Sequence, residues 1–252
     1  MIGTFWLLTK RSVREVLRMP ESTVPVLFIP LFFLLINRGS LGDQFAGLDF
    51  LGGQDYAAFQ LPVSMLFGVT SPAAGFALVQ DIETGYFDKL LVAPISRTAI
   101  LMGRMAADFA RNIVVATFVL VIGLLLGAHV EAGLLGAVVI VLLTASFGVA
   151  YAGLAIFFAL KSRNAATVNL TSFAFFPLLF LAPNLVPREN MEGWLETAAN
   201  YNPITYVMEG MRTLILDGWD GERLLYAVLV IVGVAVVLNT VSLRALRTYG
   251  NA

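Results

Sequence analysis

Stretches of about 20 residues almost free of Asp, Glu, Lys and Arg recur along this 252-residue chain and constrain its fold more than any motif. An α-helix needs about 20 apolar residues to cross roughly 30 Å of hydrocarbon, and within lipid a helix is the element that satisfies its own backbone. Six such stretches are readable, over 22–37, 56–80, 104–128, 133–160, 165–186 and 224–243. The first is short, and Pro25 and Pro30 interrupt it. From the second to the sixth, charged residues occur only near the ends, where the insertion cost of about 2.5–3.5 kcal/mol per mid-bilayer charge is avoided. Composition agrees: 58% of the residues are hydrophobic and 13% are charged. That charged share is about half that of an ordinary soluble domain. The mean hydropathy is +0.83. The predicted fold class is an all-α membrane protein forming a single transmembrane domain over 1–252.

Lys and Arg orient the spans. With both termini in the cytoplasm, the inside segments are 1–21, 81–112, 161–164 and 244–252, and they hold 12 of the 16 basic residues. The outside keeps Arg38, Arg188, Arg212 and Arg223 beside 11 of the 17 acids. The positive-inside bias therefore predicts a multi-pass protein of the cell membrane with cytoplasmic termini. Ahead of the first span, Ile2, Phe5, Trp6, Val13, Val16 and Leu17 fall on one side of a helical wheel. Lys10, Arg11, Arg14 and Arg18 flank them, which predicts an interfacial helix over 1–20 along the cytoplasmic leaflet. The apolar residues precede and interleave with the basic ones, whereas a signal peptide puts its charge first.

Two polar segments interrupt the spans. The cytoplasmic one, 81–97, carries Tyr86/Phe87, Leu90/Leu91 and Ile95 at helical spacing, with Asp81, Glu83, Asp88 and Lys89 expected to stay solvated. A short helix held outside the lipid by two spans has the form to receive force from a soluble partner; an ordinary interfacial loop helix has the same form. The external segment, 187–216, predicts two short helices that dip into the outer leaflet and return. One presents Trp194, Leu195, Ala198 and Ala199 opposite Glu189, Glu192 and Glu196. The other presents Val207, Met208, Met211, Leu214 and Ile215 beside Glu209 and Arg212. They read as a cap over a pathway or as packing elements.

Several chemistries are excluded. Without cysteine there is no disulfide framework and no thiolate nucleophile or metal site. No Gly-x-x-x-x-Gly-Lys-Ser/Thr occurs, and none of Lys10, Lys89 and Lys161 follows a glycine, so the chain has no Walker A loop to hold ATP phosphates. His129 is the single histidine, in a short turn with Glu131. Nothing points to a nucleic-acid partner. Gly123 and Gly127 match the close-packing pattern of membrane helices. Phe173, Phe175, Phe176 and Phe180 in the fifth span could line an apolar path or face lipid.

A family resemblance enters on two stretches. Glu83-x-Gly85-x-x-Asp88-x-Leu90-Leu91-x-x-Pro94-x-Ser96 resembles the cytoplasmic loop of permease subunits of type-2 ATP-binding-cassette exporters. Asn202-Pro203-Ile204-Thr205-Tyr206, with Glu209 and Arg212, resembles the family's stretch before the last span. Within the family the chain most resembles the daunorubicin-resistance-type permeases, in part because Arg97 follows Pro94-Ile95-Ser96. Ile82 and Tyr86 replace residues frequent at those positions.

The resemblance implies a coupling helix over 81–97 seated on a separate ATPase subunit. Glu83 and Asp88 would pair with its cations and Leu90/Leu91 would fill an apolar notch. Gly85 belongs to the same motif, Pro94 would end the helix and Ser96 would cap the next. From the residues themselves, Phe173, Phe176 and Phe180 are candidates for a substrate path, and Asn202, Pro203, Tyr206, Glu209 and Arg212 for an external gate. ATP and Mg would sit on the ATPase, with no cofactor on this chain and no catalytic site in it. A second copy, or a similar permease, would complete the pathway. The implied cargo is lipophilic drugs or lipids. The alternatives are a lipid-linked glycan or polysaccharide, or an accessory membrane protein that moves nothing.

Overall fold

The computed structural model of the protein describes residues 20–94 and 96–249, with 20–26 by backbone alone. In chain order its helices are α1 (Pro20–Phe45), α2 (Tyr56–Val69), α3 (Ala73–Glu83), α4 (Tyr86–Val92), α5 (Arg97–Leu125), α6 (Gly133–Ser162), α7 (Ala165–Phe180), α8 (Gly193–Tyr201), α9 (Pro203–Leu216) and α10 (Gly221–Thr248). Single 3₁₀ turns lie at Asp49–Leu51 and Arg188–Asn190, and no strand occurs among the described residues. The interfacial helix expected over 1–20 lies outside the described residues except for Pro20, which already belongs to α1.

Short polar side chains set five of the helix starts by accepting from first-turn amides that have no partner within the helix. Asp55 accepts from the Ala57 amide at 2.8 Å, Ser96 from Ala99 at 3.2 Å and Asn164 from Ala166 at 2.7 Å. Asn202 accepts from Ile204 at 3.0 Å, and Asp220 from Glu222 and Arg223 at 2.9 and 3.1 Å. Among the described residues, four segments are long and apolar enough to cross a membrane: Tyr56–Glu83, Arg97–Leu125, Gly133–Ser162 and Gly221–Thr248.

Three spans differ from expectation, each for a local reason. The first is not interrupted by its prolines: α1 runs unbroken to Phe45, and the Pro30 ring lies where a Cβ on Gly68 of α2 would come within 3.3 Å. The second, expected as one helix over 56–80, is broken between α2 and α3. Pro72 has no amide to donate and disfavours helical geometry at Ser71. The Thr70 hydroxyl donates to the Phe67 carbonyl at 3.2 Å, taking up one acceptor left at the end of α2. The fifth, expected to reach 186, stops at Phe180 because Ala182 precedes Pro183. At 16 residues α7 is about 24 Å long, short of the hydrocarbon thickness.

Small residues allow the helices to approach closely. On α6, Ala145, Gly148, Ala150, Ala152, Gly153, Ala155 and Ala159 are all buried. A Cβ on Gly75 of α3 would meet the Ala155 carbonyl oxygen at 2.8 Å, and one on Gly153 would meet Asn239 Oδ1 of α10 at 2.8 Å. Gly123 approaches α2 at Leu61, whereas Gly127 adopts φ +103 in the turn after α5, so the paired-glycine pattern splits between a contact and a turn. The core divides along the bundle. One half centres on α2, α9 and the first part of α6; the other joins α3, α4, the start of α5, the end of α6 and the end of α10. The two core halves meet near the break between α2 and α3.

α9 fits the packing-element reading of the external segment. Val207, Met208, Met211, Leu214 and Ile215 are fully buried in the first core, against α2, α6 and α10. The α8 stripe is weaker: Ala199 is buried, but Trp194 is 75% exposed.

Candidate functional site

At one end of the bundle, α3, α4 and α5 form a knuckle. α3 stops at Glu83, and Gly85, at φ +66, turns the chain into α4 by adopting a conformation that costs a glycine little. The Thr84 hydroxyl donates back to the Gln80 carbonyl at 2.8 Å. α4 has seven residues; Ala93 is extended ahead of Pro94, and Ser96 then starts α5. Glu83, Asp88, Lys89, Val92, Pro94 and Ser96 are exposed on the knuckle.

Two side chains there depart from the sequence reading. Asp81, expected to be solvated, is buried and ion-paired with Arg104 of α5. That pair ties α3 to α5 just inside the knuckle. Leu90, expected to fill a notch on a partner, is 9% exposed and packs in the second core, with Leu91 half-buried beside it. Among the described residues, the large apolar side chain the knuckle presents outward is Val92, 86% exposed. Helical geometry explains the exchange: Phe87 and Leu90, three positions apart, share the face turned to the core, and Val92 lies off it.

The last helix also reaches the knuckle. The Arg97 guanidinium donates to the Leu246, Arg247 and Tyr249 carbonyls at 2.6, 2.9 and 3.4 Å, taking up acceptors that a helix end leaves free. The Tyr249 ring meets Phe87 edge-on, with centroids 5.1 Å apart. The Arg163 guanidinium lies 4.7 Å from the centroid of the same ring. None of these partners was legible in the sequence, since Arg97 and Leu246 are 149 residues apart.

At the opposite end lie the turns 46–55 and 126–132 and the segment 181–220, which carries α8 and α9. Asn202 caps α9, and its side-chain amide also donates to the Leu178 carbonyl of α7. Pro203 follows at the first helical position, where its missing amide costs nothing. The Tyr206 hydroxyl donates to the Asn200 carbonyl at 2.7 Å, and Glu209 pairs with Arg188 at 3.1 Å. Arg212 is buried: its guanidinium lies 3.5 Å from the centroid of the Phe59 ring and donates to the Phe59 carbonyl at 3.1 Å. Near it, Gln60 donates to the Tyr56 hydroxyl and the Asn184 carbonyl, both at 2.8 Å. Arg38 holds Asp55 through contacts of 2.8–3.1 Å, which keeps the Asp55 carboxyl below the usual carboxylate range.

Along one side of α7 the three phenylalanines form a ladder. Phe173–Phe176 and Phe176–Phe180 are stacked, each with centroids 6.4 Å apart. Phe173 and Phe180 are exposed and Phe176 touches Phe67 of α2. Phe175, on another face, is buried. The candidate residues are thus not one constellation: 83–96 sit at one end, 202–212 at the other, and the ladder lies between. No group of three or more His, Cys, Asp or Glu among the described residues could hold a metal ion.

Comparison with known proteins finds a family and named relatives. The sequence model of the ABC-2 type transporter family matches residues 3–216. The chain is 28% identical over 213 residues to the daunorubicin resistance ABC transporter permease protein DrrB1 of Streptomyces coeruleorubidus, covering 81% of this chain and 72% of that protein. It is 21% identical over 200 residues to the "Probable doxorubicin resistance ABC transporter permease protein DrrC" of Mycobacterium tuberculosis, covering 78% of this chain and 71% of that one.

Proposed function

This chain belongs to the ABC-2 type transporter family, and from that premise we propose that it is the membrane-spanning permease of an ATP-driven exporter that moves lipophilic drugs or lipids outward. The observation that carries the reading is the knuckle: a seven-residue helix fixed between two membrane-length segments, with Glu83, Asp88, Lys89, Val92 and Pro94 outward. Such a helix fits a cleft on a separate ATPase subunit, which would hold ATP and Mg. Glu83 and Asp88 meet cations there, and Val92 with half-buried Leu91 supplies the apolar contact. Closure of the ATPases on nucleotide would push the knuckle, and the packed helices would carry the displacement to the far end.

In this reading the six spans are α1, α2 with α3, α5, α6, α7 and α10, with both termini and the knuckle in the cytoplasm. The distribution of Lys and Arg supports that orientation. Two relatives bear drug-resistance names, and the phenylalanine ladder on α7 offers an apolar, polarisable surface to similar cargo. The external gate is Asn202, Pro203, Tyr206, Glu209 and Arg212. A second copy, or a similar permease, faces the ladder.

Two experiments test the reading. The chain has no native cysteine, so single cysteines at Lys89, Ser96, His129 and Glu192 can be labelled in intact cells with an impermeant thiol reagent. Labelling is expected at His129 and Glu192 only; labelling at Lys89 from outside would reverse the topology. Val92→Asp is expected to leave membrane insertion intact and abolish both ATPase binding and stimulation. Normal transport by that variant would remove the seat from the knuckle.

A further inference from the structure

We propose that Tyr249, at the end of the last helix, is a positioning residue that holds the knuckle at its working angle. The inference rests on the knuckle being the ATPase seat and adds what braces it. α4 is too short to hold its own orientation, since isolated helices of under about 12 residues are marginal. Its two links to the spans are Gly85, in the left-handed conformation, and the stretch after α4, which is extended at Ala93 and at Ser96. Orientation must therefore come from contacts across the knuckle's inner face.

Beside the packing of Leu90 in the second core, one ring gathers several such contacts. Phe87, 1% exposed, meets Tyr249 edge-on at 5.1 Å. Arg163 covers the same ring at 4.7 Å. Arg97, the first residue of α5, grips the backbone around it through the Leu246, Arg247 and Tyr249 carbonyls. Four segments thus meet at Tyr249: α4, the start of α5, the link from α6 to α7, and α10. Arg163 supplies an independent sign of constraint. It is the one non-glycine residue with positive φ among the described residues, at +52°, a conformation that surrounding structure must hold in place. A force applied to α4 therefore reaches α6 and α10 through the Tyr249 ring as well as α3 and α5 through the chain.

The test uses the permease reconstituted in liposomes with its ATPase, reading permease-dependent stimulation of ATP hydrolysis and, with doxorubicin as fluorescent probe, efflux per ATP. At wild-type amounts of assembled complex, Tyr249→Ala is expected to lower both roughly three- to tenfold, the range that loss of an aromatic pair gives. Tyr249→Phe, which keeps the ring, is expected to restore them. Phe87→Leu is the milder second variant, and combining it with Tyr249→Ala should add little, since both remove the same contact. Wild-type stimulation by Tyr249→Ala, or by Phe87→Leu where the first does not accumulate, would overturn the brace. Val92→Asp separates the two ideas. If it abolishes ATPase binding while the Tyr249 and Phe87 variants behave as wild type, the brace alone falls; if it binds and stimulates normally, the seat falls.

Discussion

Leu90 and Val92 are two positions apart on α4, and the core takes one and leaves the other outside. Leu90→Ala should cost about 2–3 kcal/mol, as core truncations do, and lower the thermal midpoint of the purified protein. Val92→Ala should change the stability by no more than about 0.5 kcal/mol, as surface substitutions do, and leave the midpoint nearly unmoved. Equal effects in a detergent melt would contradict the assigned faces. Asp55 offers a pH-dependent case. Its carboxyl is held low, first by the Arg38 hydrogen bond, so the clasp contributes above the unfolded pKa of about 3.9 and fades as pH falls through the lower folded value. Asp55 is also partly exposed, so the effect is small. Asp55→Asn should be less stable than wild type at neutral pH, with the difference gone well below pH 4, read as thermal midpoints across pH.

Among the elements, the broken helix depends on glycines to fit. Gly75 lies just past the break, and its Cβ would sit 2.6 Å from Val168 Cγ1 and 2.8 Å from a backbone oxygen that cannot move alone. Gly75→Ala should therefore push α3 off α6 and cost about 1–3 kcal/mol, the usual penalty of overpacking. Gly233 on α10 has nothing within 4 Å, so Gly233→Ala should be neutral or stabilising. Melts of the two variants side by side check both. The break itself was readable in Ser71-Pro72, yet the apolar run carried straight through it and masked the signal. The end of α7 was likewise readable in Pro183 once chain geometry, rather than hydropathy, is followed.

Across the whole molecule, burial sorts the membrane-length segments. Of an 18-residue apolar stretch in Tyr56–Glu83, 72% is buried, against only 11% of the corresponding stretch in Gly221–Thr248. Such an outer face, with the exposed ladder of α7, suits lipid or a second copy. Purified with its ATPase, the complex should contain two permeases per assembly by mass measurement; a stable, transporting assembly with a single permease would refute the paired pathway.

Hydropathy and charge, which act residue by residue against lipid and water, determined from the sequence alone that this is a helical membrane protein, roughly where its long helices run and which polar segment interrupts them. Motif spacing marked the knuckle, and the Ser96 side chain accepts from the Ala99 amide as its position suggests. Three-dimensional packing decided the rest: that Leu90 turns inward, that Asp81 pairs with Arg104, that α9 is core, and that Tyr249 meets Phe87. Those outcomes depend on which surfaces meet across more than a hundred residues of chain, and a one-dimensional pattern records what each residue prefers but not which neighbour supplies it.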